Sequence, residues 1–265
     1  MLRRETVPAA GLDWQVLRGG AGRPVVWLHG LTGADGNDPF LDALSRRVEL
    51  FAPVMPGFAD LDELDGLDDI HDLALAYDEL LAALNRPDAL VVGHGFGGMV
   101  AAEIAAHVPR RVARLALIAP MGLWDAERPV ADLFALPGSL LGDALWADAA
   151  ARAAWDDAHL VPDTQPAAGD AMIAAAQANT SVAKFVWPIP DKGLRKRLRR
   201  ITCPTLLLWG AADRVVPATY ADLFARRLAS CTRTIVAEAG HMLPYERTAI
   251  TVDALASFAE QPGAA

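Results

Sequence analysis

Short, largely apolar runs alternate along the chain with longer stretches that are apolar at every third or fourth position. PVVWL (24–28) closes on His29-Gly30, and VELFAPV (48–54) closes on Pro56-Gly57. ALVV (89–92), LALIA (115–119) and TLLLW (205–209) repeat the pattern, and IVAEA (235–239) is expected to be one more strand before Gly240. Runs of this length bounded by turn residues predict strands buried on both faces. DDIHDLALAYDELLAAL (68–84) instead puts Ile70, Leu73, Tyr77, Leu80 and Leu84 on one face of a helix packed on the sheet. The alternation predicts an α/β fold, a mostly parallel sheet with helices on both faces.

Residues 120–204 separate two of these strands by far more than a helix and its turns require. The stretch holds Trp124, Trp146, Trp155 and Trp187, with alanine-rich helical segments expected around 143–158 and 167–179, broken by Pro162 and Pro166. The expectation is one domain over 1–265, its core formed by 1–120 and 201–265. A helical cap, inserted at about 121–200, would lie over the C-terminal edge of the sheet, where open α/β sheets keep their sites.

With 265 residues, 53% of them hydrophobic, the chain can bury one large core without a second domain. A formal net charge of −9 opposes binding to a polyanion, so a small-molecule substrate is expected and nucleic acid is not. MLRRETVPAAGLDWQVLRGG lacks the continuous apolar segment of an export signal, and no apolar run of membrane-spanning length follows, so a cytoplasmic protein without membrane partners is expected. Cys203 and Cys231, the two cysteines, have neither disulfide-framework nor zinc-site spacing. Oligomeric state is left open.

Three stretches and a fourth carry the chemistry. VVGHGFGG (91–98) followed by MVAAEIAAH is a strand, a tight glycine turn and a small-residue helix, the pattern of a nucleophile elbow with Gly95 at the nucleophile position. WGAADRVVP (209–217) places Asp213 in the loop after a buried strand, and EAGHMLPYE (238–246) places His241 in another. In HGLTG (29–33) the Leu31 N–H is positioned to join that of Phe96 in an oxyanion hole, a device that needs no side chain at residue 95.

On these motifs, with PGF (56–58), RVARLALIAP (111–120) and PTLLLWGAADRVVP, the chain resembles the α/β-hydrolase superfamily over nearly its whole length. KFVWPIPDKGLRKRLRRI (184–201) resembles a bacterial branch with esterase and carbon–carbon hydrolase relatives. The resemblance implies a hydrolase of small esters, lactones or C–C bonds. It gives Asp213 the role of orienting acid, His241 that of general base, and Leu31 and Phe96 the oxyanion N–H groups. It puts the nucleophile at residue 95, where most relatives have serine.

Gly95 leaves several readings open. A serine hydrolase has lost its nucleophile recently or by engineering; or the His241/Asp213 dyad activates water or a substrate proton without one; or the chain is a non-catalytic binder of small molecules. A plainer reading is that glycine escapes the strain a side chain feels at the elbow.

The remaining features read as follows. His29, Gly30, Phe96, Trp124, Trp187 and Met242 are candidate substrate contacts, with Met121, Phe134 and Trp146 as further lining. His94 reads as a buried structural residue bonded within its own turn, and His29 equally as a support of the oxyanion loop. KGLRKRLRR (192–200) reads as a short amphipathic helix rather than a nucleic-acid patch, because Leu194, Leu198 and Ile201 recur at helical spacing. ADLDELDGLDD (59–69) lacks the ligand order of a calcium loop and reads as a solvated loop feeding a helix. No metal site is expected, and no cofactor, since no dinucleotide fingerprint follows a strand.

Overall fold

The computed structural model describes residues 2–160 and 164–262. An antiparallel hairpin, β1 (Arg3–Ala9) and β2 (Leu12–Gly19), precedes β3 (Pro24–Leu28), β4 (Glu49–Pro53), β5 (Leu90–His94), β6 (Arg114–Ile118), β7 (Thr205–Gly210) and β8 (Cys231–Val236). They make one eight-stranded sheet in the order β1-β2-β4-β3-β5-β6-β7-β8, parallel from β4 to β8. Every position of β3, β5, β6 and β7 is buried, the state that continuous apolar runs predict for strands covered on both faces. The hairpin has no such run, because β1 lies on the edge and is largely exposed.

Helices α1 (Pro39–Ser45), α2 (Ile70–Leu84) and α3 (Phe96–His107) follow β3, β4 and β5. Between β6 and β7 lie α4 (Gly138–Leu145), α5 (Ala149–Ala158), α6 (Gln165–Val186) and α7 (Leu194–Arg197); α8 (Tyr220–Ala225), α9 (Leu243–Glu246) and α10 (Thr248–Ala259) complete the chain. The side-chain period of two divides the core between the faces. Val26, Leu28, Val91, Leu117 and Leu207 pack with α2, α3 and α8, while Val25, Trp27, Val92, Ile118 and Leu208 pack with α1 and α10. On α2 the expected face is buried at Ile70, Leu73, Tyr77, Leu80 and Leu84, and Asp69 starts the helix by accepting from the N–H groups of His71 and Asp72.

The insertion differs from expectation in detail. The segment around 143–158 is two helices, because the Asp148 carboxylate caps α5 through the N–H groups of Ala150 and Ala151. Pro166 does not break a helix: it sits in the first turn of α6, where a missing N–H costs no hydrogen bond. Pro162 lies outside the described residues. The basic stretch is α7 plus one tight turn, with Leu194, Leu198 and Ile201 all buried. It is tied to α3 by Arg197, whose Nε and Nη2 donate to the fully buried Glu103 carboxylate at 2.8 and 2.7 Å. In the acidic loop, Leu64 and Leu67 are buried anchors rather than solvated positions. The expected IVAEA strand is displaced: β8 ends at Val236, and Glu238 turns the chain with φ 53°. Among the described residues no helix is long and apolar enough to cross a membrane.

Candidate functional site

Residue 95 stands between β5 and α3 with φ 55° and ψ −113°, a combination costly for any residue with a Cβ. Its N–H donates to the Ile118 carbonyl at 2.9 Å, and its own carbonyl accepts from Met121 and Met99 at 2.9 and 3.2 Å. A Cβ on Gly97 would collide with the carbonyl groups of Leu28 and His29, so α3 can start this close to β3 only because position 97 has none.

Asp213, in the loop after β7, has a fully buried side chain. Its Oδ1 accepts from the N–H groups of Val215 and Val216 at 2.8 and 2.9 Å, and Oδ2 lies 3.0 Å from Nδ1 of His241. The carboxylate accepts, so Nδ1 of His241 carries the proton and Nε2 presents a lone pair. That lone pair faces Gly95: a Cβ there would stand 3.0 Å from Nε2.

The loop carrying His241 is fixed from three directions. His94 donates from Nε2 to the His241 carbonyl at 2.8 Å, so its partner is this loop and not its own turn. Burial, reinforced by His241 nearby, holds the His94 pKa down to about 3 and keeps it neutral, with Nδ1 an acceptor lacking a partner among the described residues. Met242 N–H donates to the Leu145 carbonyl at 3.1 Å. Glu246, itself buried, accepts from Gly240 N–H at 2.5 Å on one oxygen and from Ala147 and Asp148 N–H at 2.5 and 2.7 Å on the other. One carboxylate thereby joins the histidine loop to the junction of α4 and α5. The approach is so close that a Cβ on Gly240 would sit 2.8 Å from Ala147 N.

His29 braces the opposite wall. Met55 N–H donates to its Nε2 at 2.9 Å and its Nδ1 donates to the Gly30 carbonyl at 2.8 Å. Burial lowers its pKa to about 4. Past it, the N–H groups of Leu31 and of Phe96, the first residue of α3, have no acceptor among the described residues. Two orphan donors, one at a helix N-terminus, form a ready anion-binding element.

These groups surround a cavity of about 230 Å³ between the sheet edge and the insertion. Gly30, Leu31, Gly95, Phe96, His241 and Met242 line it, with Met121 and Phe134; Asp213 stands behind His241. His29, Trp124, Trp146 and Trp187 are not on its wall. His29 is a brace, and Trp146 is buried against Trp155 and Tyr245. Trp124 and Trp187 line a neighbouring cavity of about 120 Å³. Sequence reasoning missed Glu246, Thr32 and Asn179; the last two are polar groups on the cavity wall. Only a carboxylate at the end of an apolar loop hinted at Glu246. Among the described residues the wall carries no Lys, Arg, Asp or Glu. His71, Glu103 and His107 gather outside the cavity, but Glu103 is committed to Arg197, and the imidazoles bond each other at 3.0 Å.

The sequence pattern of the alpha/beta hydrolase family matches residues 25–254, and the chain belongs to that family. It is 28% identical over 258 residues to the dihydrolipoyllysine-residue acetyltransferase component of the acetoin cleaving system of Pseudomonas putida, covering 89% of this chain and 63% of that protein. The chain thus spans less than two thirds of that relative. It is 25% identical over 287 residues to monoacylglycerol lipase ABHD6 of Homo sapiens, with 93% of this chain and 79% of that one covered. Among solved structures, a membrane phospholipase A described as a bacterial virulence factor superposes with TM-score 0.77 at 25% identity, covering 97% of this chain and 85% of that one. A meta-cleavage product hydrolase superposes with TM-score 0.75 at 21% identity over 96% of this chain and 97% of that one, a likeness of fold.

Proposed function

We propose that the site is that of a hydrolase of esters or related carbonyl compounds whose reacting end is apolar and uncharged. His241 is the base, Asp213 orients it and supports its charge, the N–H groups of Leu31 and Phe96 receive the oxyanion, and the insertion is the cap that encloses the substrate. The observation that carries this reading is the lone pair of His241 Nε2, fixed by the Asp213 contact of 3.0 Å and directed at residue 95. In a serine-type site the hydroxyl attacks the carbonyl, its proton passes to Nε2, and the same proton later reaches the leaving group. Gly95 supplies no attacking atom, so this covalent route is closed to the chain as it stands. The dyad and the oxyanion donors remain arranged to drive a slower attack by water, with Nε2 taking the water proton. The uncharged wall of the cavity supports an apolar, uncharged group at the reacting end.

The test is p-nitrophenyl butyrate hydrolysis by the Gly95 protein and by Gly95→Ser, each with and without His241→Ala. We expect Gly95→Ser to gain turnover by orders of magnitude, since losing a triad serine costs about 10⁶ in kcat in subtilisin, and His241→Ala to abolish that gain. A Gly95 protein already as active as Gly95→Ser, with that activity dependent on His241, would make the nucleophile-free dyad its working mechanism. Inactivity of both forms toward short neutral esters would overturn the hydrolase reading.

A further inference from the structure

The cavity beside His241 does not stand alone. It shares Met121, Leu133 and Phe134 with the neighbouring cavity of about 120 Å³. That cavity in turn shares Trp124 with an open groove of about 680 Å³ on the outside of the insertion. The walls change character along this line. Next to His241 the described residues carry no formal charge, whereas the groove displays Arg195 and Lys196 of α7 and Arg227, which follows α8, together with the carboxylates of Asp125 and Asp191.

Its charges are unevenly compensated. Asp191 lies 3.7 Å from Arg195, and Asp125 lies 3.4 Å from Arg128. Among the described residues Lys196 and Arg227 have no carboxylate partner, and Arg227 Nη1 is held only by the Leu223 carbonyl at 2.8 Å. In a chain of net charge −9, two uncompensated cations in a concave site with a tryptophan on its wall call for an anion joined to a flat or apolar part.

We infer that this groove binds the anionic end of the substrate, a phosphate group carried on the leaving-group side, while the rest of the leaving group spans the intermediate cavity and the apolar acyl part lies beside His241. The inference rests on the hydrolase reading for the direction of the substrate and on the shared walls for its path. Arg227 offers a forked donor and Lys196 a point charge, which together suit a phosphate better than a single carboxylate. The phosphate of a nucleotide-linked thioester and that of a lysophospholipid have this chemistry in common.

Binding needs no nucleophile, so the Gly95 protein itself serves for the test. Octanoyl-coenzyme A, 1-octanoyl lysophosphatidic acid and uncharged 1-octanoylglycerol are titrated by calorimetry, with Trp fluorescence as a second readout. At least one phosphate-bearing probe is expected to bind about tenfold or more tighter than octanoylglycerol, since a hydrogen bond to a charged group contributes about that factor. Lys196→Glu with Arg227→Glu should erase this advantage and leave octanoylglycerol affinity within twofold. Preference for octanoyl-coenzyme A assigns the groove to a nucleotide-linked group, and preference for the lysophosphatidic acid assigns it to a lipid headgroup. Equal affinity for charged and uncharged probes, or no response to the double charge reversal, would overturn the inference. Because no turnover is measured, a failed hydrolase reading shows separately, as intact binding without ester cleavage by Gly95→Ser.

Discussion

A Cβ on Gly95 would stand 3.0 Å from Nε2 of His241. The imidazole thus lies against the place a nucleophile would occupy, slightly nearer than a side chain comfortably allows. Gly95→Ser therefore has two opposed consequences. It brings a hydroxyl within reach of the base, and it places a Cβ on a backbone with φ 55° and ψ −113°. We expect the variant to gain esterase activity while losing about 1–3 kcal/mol of stability. Urea unfolding of the two proteins, beside their kinetics, checks both; a serine variant more stable than the glycine protein would show that the elbow is unstrained.

Asp213 serves two ends with its two oxygens. In the Gly95→Ser background, Asp213→Asn can retain the bonds from Val215 and Val216 on its carbonyl oxygen but presents an amide to Nδ1 of His241, favouring the wrong tautomer. A loss of about 10⁴ in kcat is expected, by analogy with the same change in a serine protease. Asp213→Ala also strands two buried N–H groups, at about 1–3 kcal/mol each. Equal activity of Asp213→Asn and its parent in steady-state kinetics would remove Asp213 from the site.

Glu246 touches neither the cavity nor His241, yet it gathers the N–H groups of Gly240, Ala147 and Asp148. Glu246→Ala is expected to destabilise the protein by roughly 3 kcal/mol or more and to loosen the histidine loop from the insertion. Hydrogen exchange should quicken at those three amides well before global unfolding. Unchanged protection there would mean that other contacts hold the loop.

The buried histidines set a pH limit. His29, lowered from 6.5 to about 4, and His94, lowered to about 3, bind fewer protons folded than unfolded at mildly acid pH. Stability is therefore full above pH 6.5 and falls as the pH drops toward these values. The His29 contribution alone is about 3 kcal/mol. His29→Gln should flatten the decline in urea midpoint between pH 6.5 and 4; an unchanged slope would place the acid sensitivity elsewhere.

The sequence by itself determined the sheet interior, the helix over 70–84, the insertion and the chain order of elbow, Asp213 and His241. Those features are local: apolar runs, helical spacing and turn residues act over a few positions. The hairpin β1–β2 was not legible, since an exposed edge strand alternates and carries no apolar run. Only the tertiary structure decided which side chains reach the cavity. It moved Trp124 and Trp187 to a neighbouring space, made His29 and His94 braces, and gave Glu246 three donors, two of them about a hundred residues away in the chain. Such contacts depend on how the insertion folds back over the sheet edge, a long-range packing outcome that no local pattern encodes.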